Sequence, residues 1–337
     1  MKTLNELEQM LAVAREPKDL FGDEPDKTKT HLLASVHPDR HLGEESRASA
    51  LFDKINKLFD QLKSPPTVIK SPKREYRILK LLVVGDVADL HLATSTVDGV
   101  QKDYVLKVSR VVGGDKLLET EQKHLAKLLT AAATGTYSHY LPLLVESFLA
   151  KDKIQKRVNV FPADSGFYTL EQVHAKHPEL DGRHLAWIFK RLLTVLGFAK
   201  QQGVVHGAVL PAHIRLDAKN HGLQLVGWGQ SVAPETPVKV ISSKWCEWYP
   251  QEVLGKKPVG AETDLLMGAS CMVYLSGGDP MTGQMPKSVP VKISRFIQSC
   301  LLDGRSMRPP DPWDLLEEFD DTLKSVYGKP RFHKLEI

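Results

Sequence analysis

The sequence predicts an α+β protein: a small all-helical module at the N-terminal end, then a larger domain that is strand-rich first and helix-rich later. Three observations carry this prediction. Residues 1–63 show only helical apolar periods and end at Ser64-Pro65-Pro66. From Tyr76 the pattern changes to short apolar runs separated by turns. The stretch Val204 to Gly229, VVHGAVLPAHIRLDAKNHGLQLVGWG, reads as a turn, a short strand, a turn, a second strand and a Gly-Trp-Gly turn, and the larger domain is organised around it.

The 337 residues leave room for two or three domains, and 42% apolar with 26% charged residues is the balance of a soluble globular chain. A net charge of +4 with no basic run gives no argument for nucleic acid. Cys246, Cys271 and Cys300 lie far apart, which speaks against a disulfide framework or a zinc site and for a reducing cytoplasm. MKTLNELEQM has no apolar signal core, and the longest apolar run, around Leu265 to Leu275, is too short to span a bilayer. A cytoplasmic location with no membrane partner is expected.

In the N-terminal module Leu4, Leu7, Met10, Leu11 and Ala14 predict a helix over 3–15, broken by Pro17 and FGDEPD. A second helix over 25–36 carries Leu32, Leu33 and Val36. The third has the cleanest period in the chain: Ala48, Leu51, Phe52, Ile55, Leu58, Phe59 and Leu62. Facing apolar stripes on the second and third helices make a hairpin, and the first helix covers its base.

His37-Pro38-Asp39 sits between the two hairpin helices. A structural turn would explain the tripeptide, with Pro38 fixing the backbone and Asp39 capping the next segment. Its place at the tip of a helical hairpin resembles a J-domain, the co-chaperone module of the DnaJ family. The resemblance implies that His37, Pro38 and Asp39 touch a DnaK-type chaperone ATPase. It also implies that Lys27, Lys29, His31 and Arg40 steer the encounter with an acidic partner surface. That basic face is thin, with Asp23, Glu24 and Asp26 beside it. Residues 64–75, rich in Pro, Lys and Ser, are expected to be an extended tether.

In the larger domain RILKLLVVGD, ADLHLATSTVDG and DYVLKVSR predict three antiparallel strands with a hairpin turn at Asp98-Gly99. A helix over DKLLETEQKHLAKLLTAAA comes next, then strands at LLVESFLA and RVNVFP, then helices at 183–201 and 264–276. This order resembles the bilobal protein kinase fold over 76–327, with a small lobe over 76–162 and a helical lobe over 163–327. Motif by motif the match is uneven. Of the glycine-rich loop only Gly85 stands; Val87 and Leu90 occupy the other glycine positions, and Asp86 and Asp89 would repel phosphates. Lys107 matches the phosphate-binding lysine and Glu121 its helix partner, with Glu119 as rival. Such a pair is equally explained as a strut between helix and sheet.

Where a kinase has His-Arg-Asp-x-x-x-x-Asn, this chain has His206, Gly207, Ala208 and His213. Ala208 can neither orient nor deprotonate a hydroxyl, and a His213 imidazole is a poor partner for magnesium. Gly227-Trp228-Gly229 stands for Asp-Phe-Gly, so the metal-binding carboxylate is gone. The nearest acid, Asp217, is expected to cap a turn. The frame residues are kept: the resemblance implies that Glu252 pairs with Arg308 and that Asp264 bonds the backbone of the loop at 206. The stretch between Leu275 and Val291 is too short for one of the kinase lobe's helices. The expected function is a J-domain adaptor with a pseudokinase domain and no phosphotransfer, serving a DnaK-type chaperone and a client protein. The alternatives are an atypical kinase using displaced acids, or a regulator that binds ATP through Gly85, Lys107 and Glu121. ATP is the one candidate cofactor, and no metal ligands are assigned.

Overall fold

The computed structural model describes residues 2–14, 16–41, 43–63, 67–133, 135–150 and 156–337, of which 61–63 only as backbone. The chain is a mixed α+β protein of two compact units, one comprising Met1–Arg110 with Phe148–Ala163 and the other Val111–Ser147 with Asp164–Ile337. The division differs from one drawn at 64–75. The N-terminal helices fall with the first sheet, and the helix after β4 falls with the second unit.

The first unit opens with α1 (Leu4–Val13), α2 (Pro17–Phe21), α3 (Pro25–Ser35) and α4 (Glu45–Lys63). Thr3 and Glu6 form a reciprocal capping box that starts α1. α1 ends at Val13, ahead of the break expected at Pro17, and Pro17 itself starts α2. Proline at the first helical turn has no N–H to satisfy, and its fixed φ already suits a helix. Leu4, Leu7, Leu11, Leu20, Phe21, Leu32, Val36, Ala48, Leu51, Ile55 and Phe59 form one buried cluster. Phe21 meets Phe59 edge to face at 5.3 Å. The period read on α4 therefore faces this core, with Phe52 and Leu58 at its margin. The Leu62 side chain and the stop at Ser64-Pro65-Pro66 lie outside the described residues.

The six-stranded sheet of this unit runs in the order β1-β2-β3-β4-β6-β5: β1 (Val68–Lys70), β2 (Glu75–Val84), β3 (Ala88–Val97), β4 (Val100–Ser109), β5 (Glu146–Leu149) and β6 (Arg157–Pro162). Asp98 and Gly99 both have positive φ, 52° and 76°, the two-residue turn whose twist suits a hairpin. A free tether over 64–75 is not found in its second half. Val68–Lys70 pairs antiparallel with Glu75–Arg77, and the Ser71 hydroxyl oxygen accepts the Lys73 and Arg74 N–H groups to close the turn. A three-residue strand is too short to show an alternation in the sequence.

The second unit holds α5 (Gly114–Ala132), α6 (Leu170–Lys176), α7 (Gly182–Gln201), α8 (Gln251–Leu254), α9 (Ala261–Leu275), α10 (Val291–Ser299) and α11 (Pro312–Tyr327), with β7 (Phe167–Thr169), β8 (Ile214–Asp217) and β9 (Gly222–Leu225) as a three-stranded antiparallel sheet. α9 is apolar almost all round and packs against the broad apolar face of α7 in the core. α11 crosses α7 closely at Gly197, where an added Cβ would lie 2.6 Å from the Trp313 ring. No helix forms between α9 and α10, as the length of that stretch implies. Among the described residues no helix is long and apolar enough to cross a membrane.

Glu252 and Arg308 meet as the resemblance implies. Arg308 Nη1 lies 2.5 Å from Glu252 Oε1, both side chains are buried, and Thr263 donates to the same carboxylate oxygen at 3.1 Å. Arg308 also donates to the Leu302 and Asp303 carbonyls. Burial acts to raise the Glu252 carboxyl pKa, but the Arg308 bonds and charge outweigh it and the net shift is downward. Removing one partner strands a buried charge, so Arg308→Ala is expected to lower stability by about 3–5 kcal/mol. Arg308→Met with Glu252→Leu should be far milder. Urea denaturation of the three proteins checks both.

Candidate functional site

Two candidate regions come from the sequence, one in each unit. In the first unit the turn between α3 and α4 presents His37-Pro38-Asp39. Pro38 opens a single 3-10 turn over Pro38–Arg40. The Asp39 N–H donates to His37 Nδ1 at 3.4 Å, and Asp39 Oδ2 lies 3.6 Å from the same nitrogen. His41, which carries no signal in the sequence, is half-buried and lies 2.7 Å from the Ser35 carbonyl, pinning the turn to the end of α3. His37 and Asp39 themselves are 49% and 86% exposed, so the tripeptide is available for contact.

The cations assigned to this region are engaged within the chain. Lys27 pairs with Glu24 at 3.0 Å, Lys29 lies over the Phe59 ring at 4.3 Å, and Arg40 donates to the Ala34 carbonyl at 3.0 Å. The Lys27 and Arg40 contacts are exposed and weak, and Lys29 is half-buried over the core ring of Phe59; a partner carboxylate would compete with the first two.

Also in the first unit, Gly85 bends the chain after β2. A Cβ there would lie 2.4 Å from the Ala88 carbonyl oxygen, so tight turning alone explains the glycine. Arg110 holds the bend by donating to the Gly85 carbonyl at 3.1 Å. Lys107 lies on β4, opposite Leu90 of β3 and Asn159 of β6. Glu121 belongs to the second unit, where it is buried on α5.

The second region is the loop around His206. Its geometry starts from Asp264 on α9, whose two carboxylate oxygens accept the His206 N–H at 2.7 Å and the Gly207 N–H at 2.8 Å. Gly207 has φ 71° and its missing Cβ would lie 2.9 Å from Val238, so glycine lets the loop turn there. The His206 ring is fully buried. Its Nε2–H donates to the Val226 carbonyl at 3.0 Å, and its Nδ1 accepts the Ala208 N–H at 3.3 Å. A carbonyl can only accept, which fixes the tautomer. Trp228 packs against the ring edge to face at 4.6 Å and donates to the Leu225 carbonyl at 2.7 Å.

The three positions that lack acids are mutually fitted. His213 Nδ1–H donates to the Ala208 carbonyl at 2.8 Å. Gly227 has φ 85°, and a Cβ on it would lie 2.7 Å from the His213 ring. Ala208 and Trp228 are fully buried. The loop is thus a packed hub with no space at Ala208 for a reacting hydroxyl. Asp217 accepts the N–H groups of Lys219 and Asn220 at 3.1 and 3.2 Å, the turn cap the sequence suggests. Among the described residues no group of three or more His, Cys, Asp or Glu is arranged to hold a metal ion.

Burial pushes the Asp264 carboxyl up to about 7; the two N–H donors oppose this and Glu262 adds to it. No protein-family model matches this sequence, and no curated protein is significantly similar to it.

Gly227→Ala is expected to lower stability by about 2–4 kcal/mol, through left-handed strain and overpacking against His213. Adding His213→Ala should recover about 1–2 kcal/mol of that loss, a coupling that a double-mutant denaturation cycle measures. The folded Asp264 holds its proton to a higher pH than the unfolded chain does. Stability should therefore fall as pH rises from about 4 towards 7, then level off. Asp264→Asn should flatten that slope while lowering stability at every pH, because its NH2 group faces a backbone N–H. Urea titrations between pH 4 and 8 test both statements.

Proposed function

We propose that the chain is a J-domain adaptor: residues 1–63 engage a DnaK-type chaperone ATPase through His37-Pro38-Asp39, and residues 76–327 form a protein-kinase-like domain that binds a client or partner without transferring phosphate. The observation that carries this reading is the exposed tripeptide in the turn between α3 and α4, beside one buried apolar cluster drawn from the N-terminal helices.

The inactive half of the reading is supported by the hub at Ala208, His213 and Gly227. Phosphoryl transfer needs a base at the hydroxyl and a metal ligand at the phosphates. Here the first position is a buried methyl and the second has no side chain, with an imidazole ring in the space a side chain would fill. The frame bonds, Asp264 to the loop and Glu252 to Arg308, are those a kinase-like domain uses to hold its shape.

Stimulation of the ATPase of a DnaK-type chaperone from the same host tests the proposal. The full chain should raise the single-turnover rate several-fold, and His37→Gln should return it to the basal rate with an unchanged melting temperature. Absence of stimulation by the wild type with every such chaperone of the host would sink the co-chaperone role. Transfer of labelled phosphate from ATP to a protein substrate would overturn the inactive reading of the larger domain.

A further inference from the structure

The segment after α11, residues 329–337, has no helix or strand, yet it lies on the second unit as a bound peptide would. It leaves α11 at Gly328, where φ is 73° and the left-handed turn releases the helix. Phe332 stacks on the His221 ring at 4.1 Å, and His221 stacks in turn on Trp187 of α7 at 4.3 Å and 5°. His221 Nε2–H donates to the His333 carbonyl at 2.7 Å. Leu335 is buried, and His177 Nε2–H donates to the Glu336 carbonyl at 2.6 Å. At the base of the stack Trp187 Nε1–H donates to His184 Nδ1 at 3.2 Å.

Two features set this seat apart from ordinary surface packing. Both imidazoles address main-chain carbonyls three residues apart, and the two apolar anchors, Phe332 and Leu335, have the same spacing. That is how an extended peptide is recognised: backbone bonds fix its direction and pockets read selected side chains. His221 holds φ 52° in the tight turn that joins β8 to β9, and this turn places its ring against Trp187. The hold is also light. Phe332 remains 64% exposed, and no strand pairing ties the segment down.

We propose that the face formed by His177, His184, Trp187 and His221 is a peptide-docking groove, filled here by the chain's own Phe332–Glu336, whose partner is an extended protein segment carrying an aromatic residue and, three residues later, a leucine. Side chains at the positions of His333 and Lys334 are not read, because the groove bonds the His333 carbonyl and Lys334 pairs with Glu336 of the same segment.

The groups facing the groove make its occupancy sensitive to acid. Burial holds His184 below the ordinary imidazole value; Asp181 opposes this, and His221, His333 and His177 add to it. Burial likewise lowers His221, opposed by the His333 backbone bond and Asp217 and helped by Arg191 and the His333 ring. Protonated His184 could no longer accept the Trp187 N–H, so the stack loses its base. The seat is held in full above about pH 6.5 and is lost as pH falls from there through the lowered values.

The test uses the full chain and a fluorescent peptide of residues 329–337, read by anisotropy. In Leu335→Asp the chain's own segment cannot seat, so this variant should bind the peptide at least about tenfold more tightly than the wild type at pH 7.5. Phe332→Ala, at an exposed position that spares the fold, should bind it more tightly than wild type by a smaller factor. Adding His221→Ala to either variant should abolish binding, and so should aspartate in place of the leucine in the peptide. Binding should weaken several-fold at pH 5.5. Equal binding by wild type and both variants, or binding that survives His221→Ala, would overturn the groove. A wild-type chain that dimerises with concentration and is dissociated by the peptide would assign the seat to a second copy, and so overturn the assignment to a different partner protein.

Discussion

The second unit depends on one buried carboxylate. Asp264 faces the loop from a helix that is otherwise apolar almost all round, and it takes both the His206 and Gly207 N–H groups. Two backbone donors at a sharp turn inside a core have nowhere else to go, and each would weigh against folding if left bare. One acid satisfies both. It sets the loop's direction, and the loop sets the place of His206, which in turn bridges to the Val226 carbonyl just ahead of Gly227. A chain of short polar bonds thus runs from α9 through the loop to the Gly-Trp-Gly turn. The same burial that makes it strong pushes the Asp264 carboxyl towards 7, so the anchor carries a standing electrostatic penalty at neutral pH.

That anchoring holds the loop's shape with no acid at position 208 or 227. The bonds that hold it use backbone groups, ring nitrogens and the Trp228 indole, and none of them needs a side-chain carboxylate at position 208 or 227. Once Ala208 is a methyl in the core, His213 can turn inward and bond its carbonyl. Once His213 lies inward, position 227 has no space for a side chain. The three residues form one packed solution, in which a side chain at position 227 would collide with the His213 ring. On the proposed reading, the larger domain keeps a kinase-like frame as a scaffold, with its recognition work done by surface elements. The seat of residues 332–336 on Trp187 and His221 is such an element.

The N-terminal helices reverse this economy. Their core is closed by residues from all four helices, while His37 and Asp39 stand outside it. Lys27, Lys29 and Arg40 make local contacts, of which only that of Lys27 is with an acid. On the proposed reading, recognition there rests on the exposed tripeptide together with these cations.

The sequence by itself determined the elements whose signal is local. The apolar period of α4, the Asp98-Gly99 hairpin, the two short strands on either side of Asp217 and the all-apolar α9 each arise from neighbouring residues, and each is found. It also marked Ala208, His213 and Gly227 as positions without acids, and Asp264, Glu252 and Arg308 as frame. It did not show β1, whose three residues are too few to alternate, or α2, where Pro17 starts a helix as readily as it ends one. What only the tertiary structure decided is what distant residues do together. His213 blocks position 227 from fourteen residues away in the chain. His177, Trp187, His221 and Phe332 come from four separate stretches and read individually as ordinary surface residues. No local pattern records such groupings, because side chains that meet only after the chain has packed leave no period behind them.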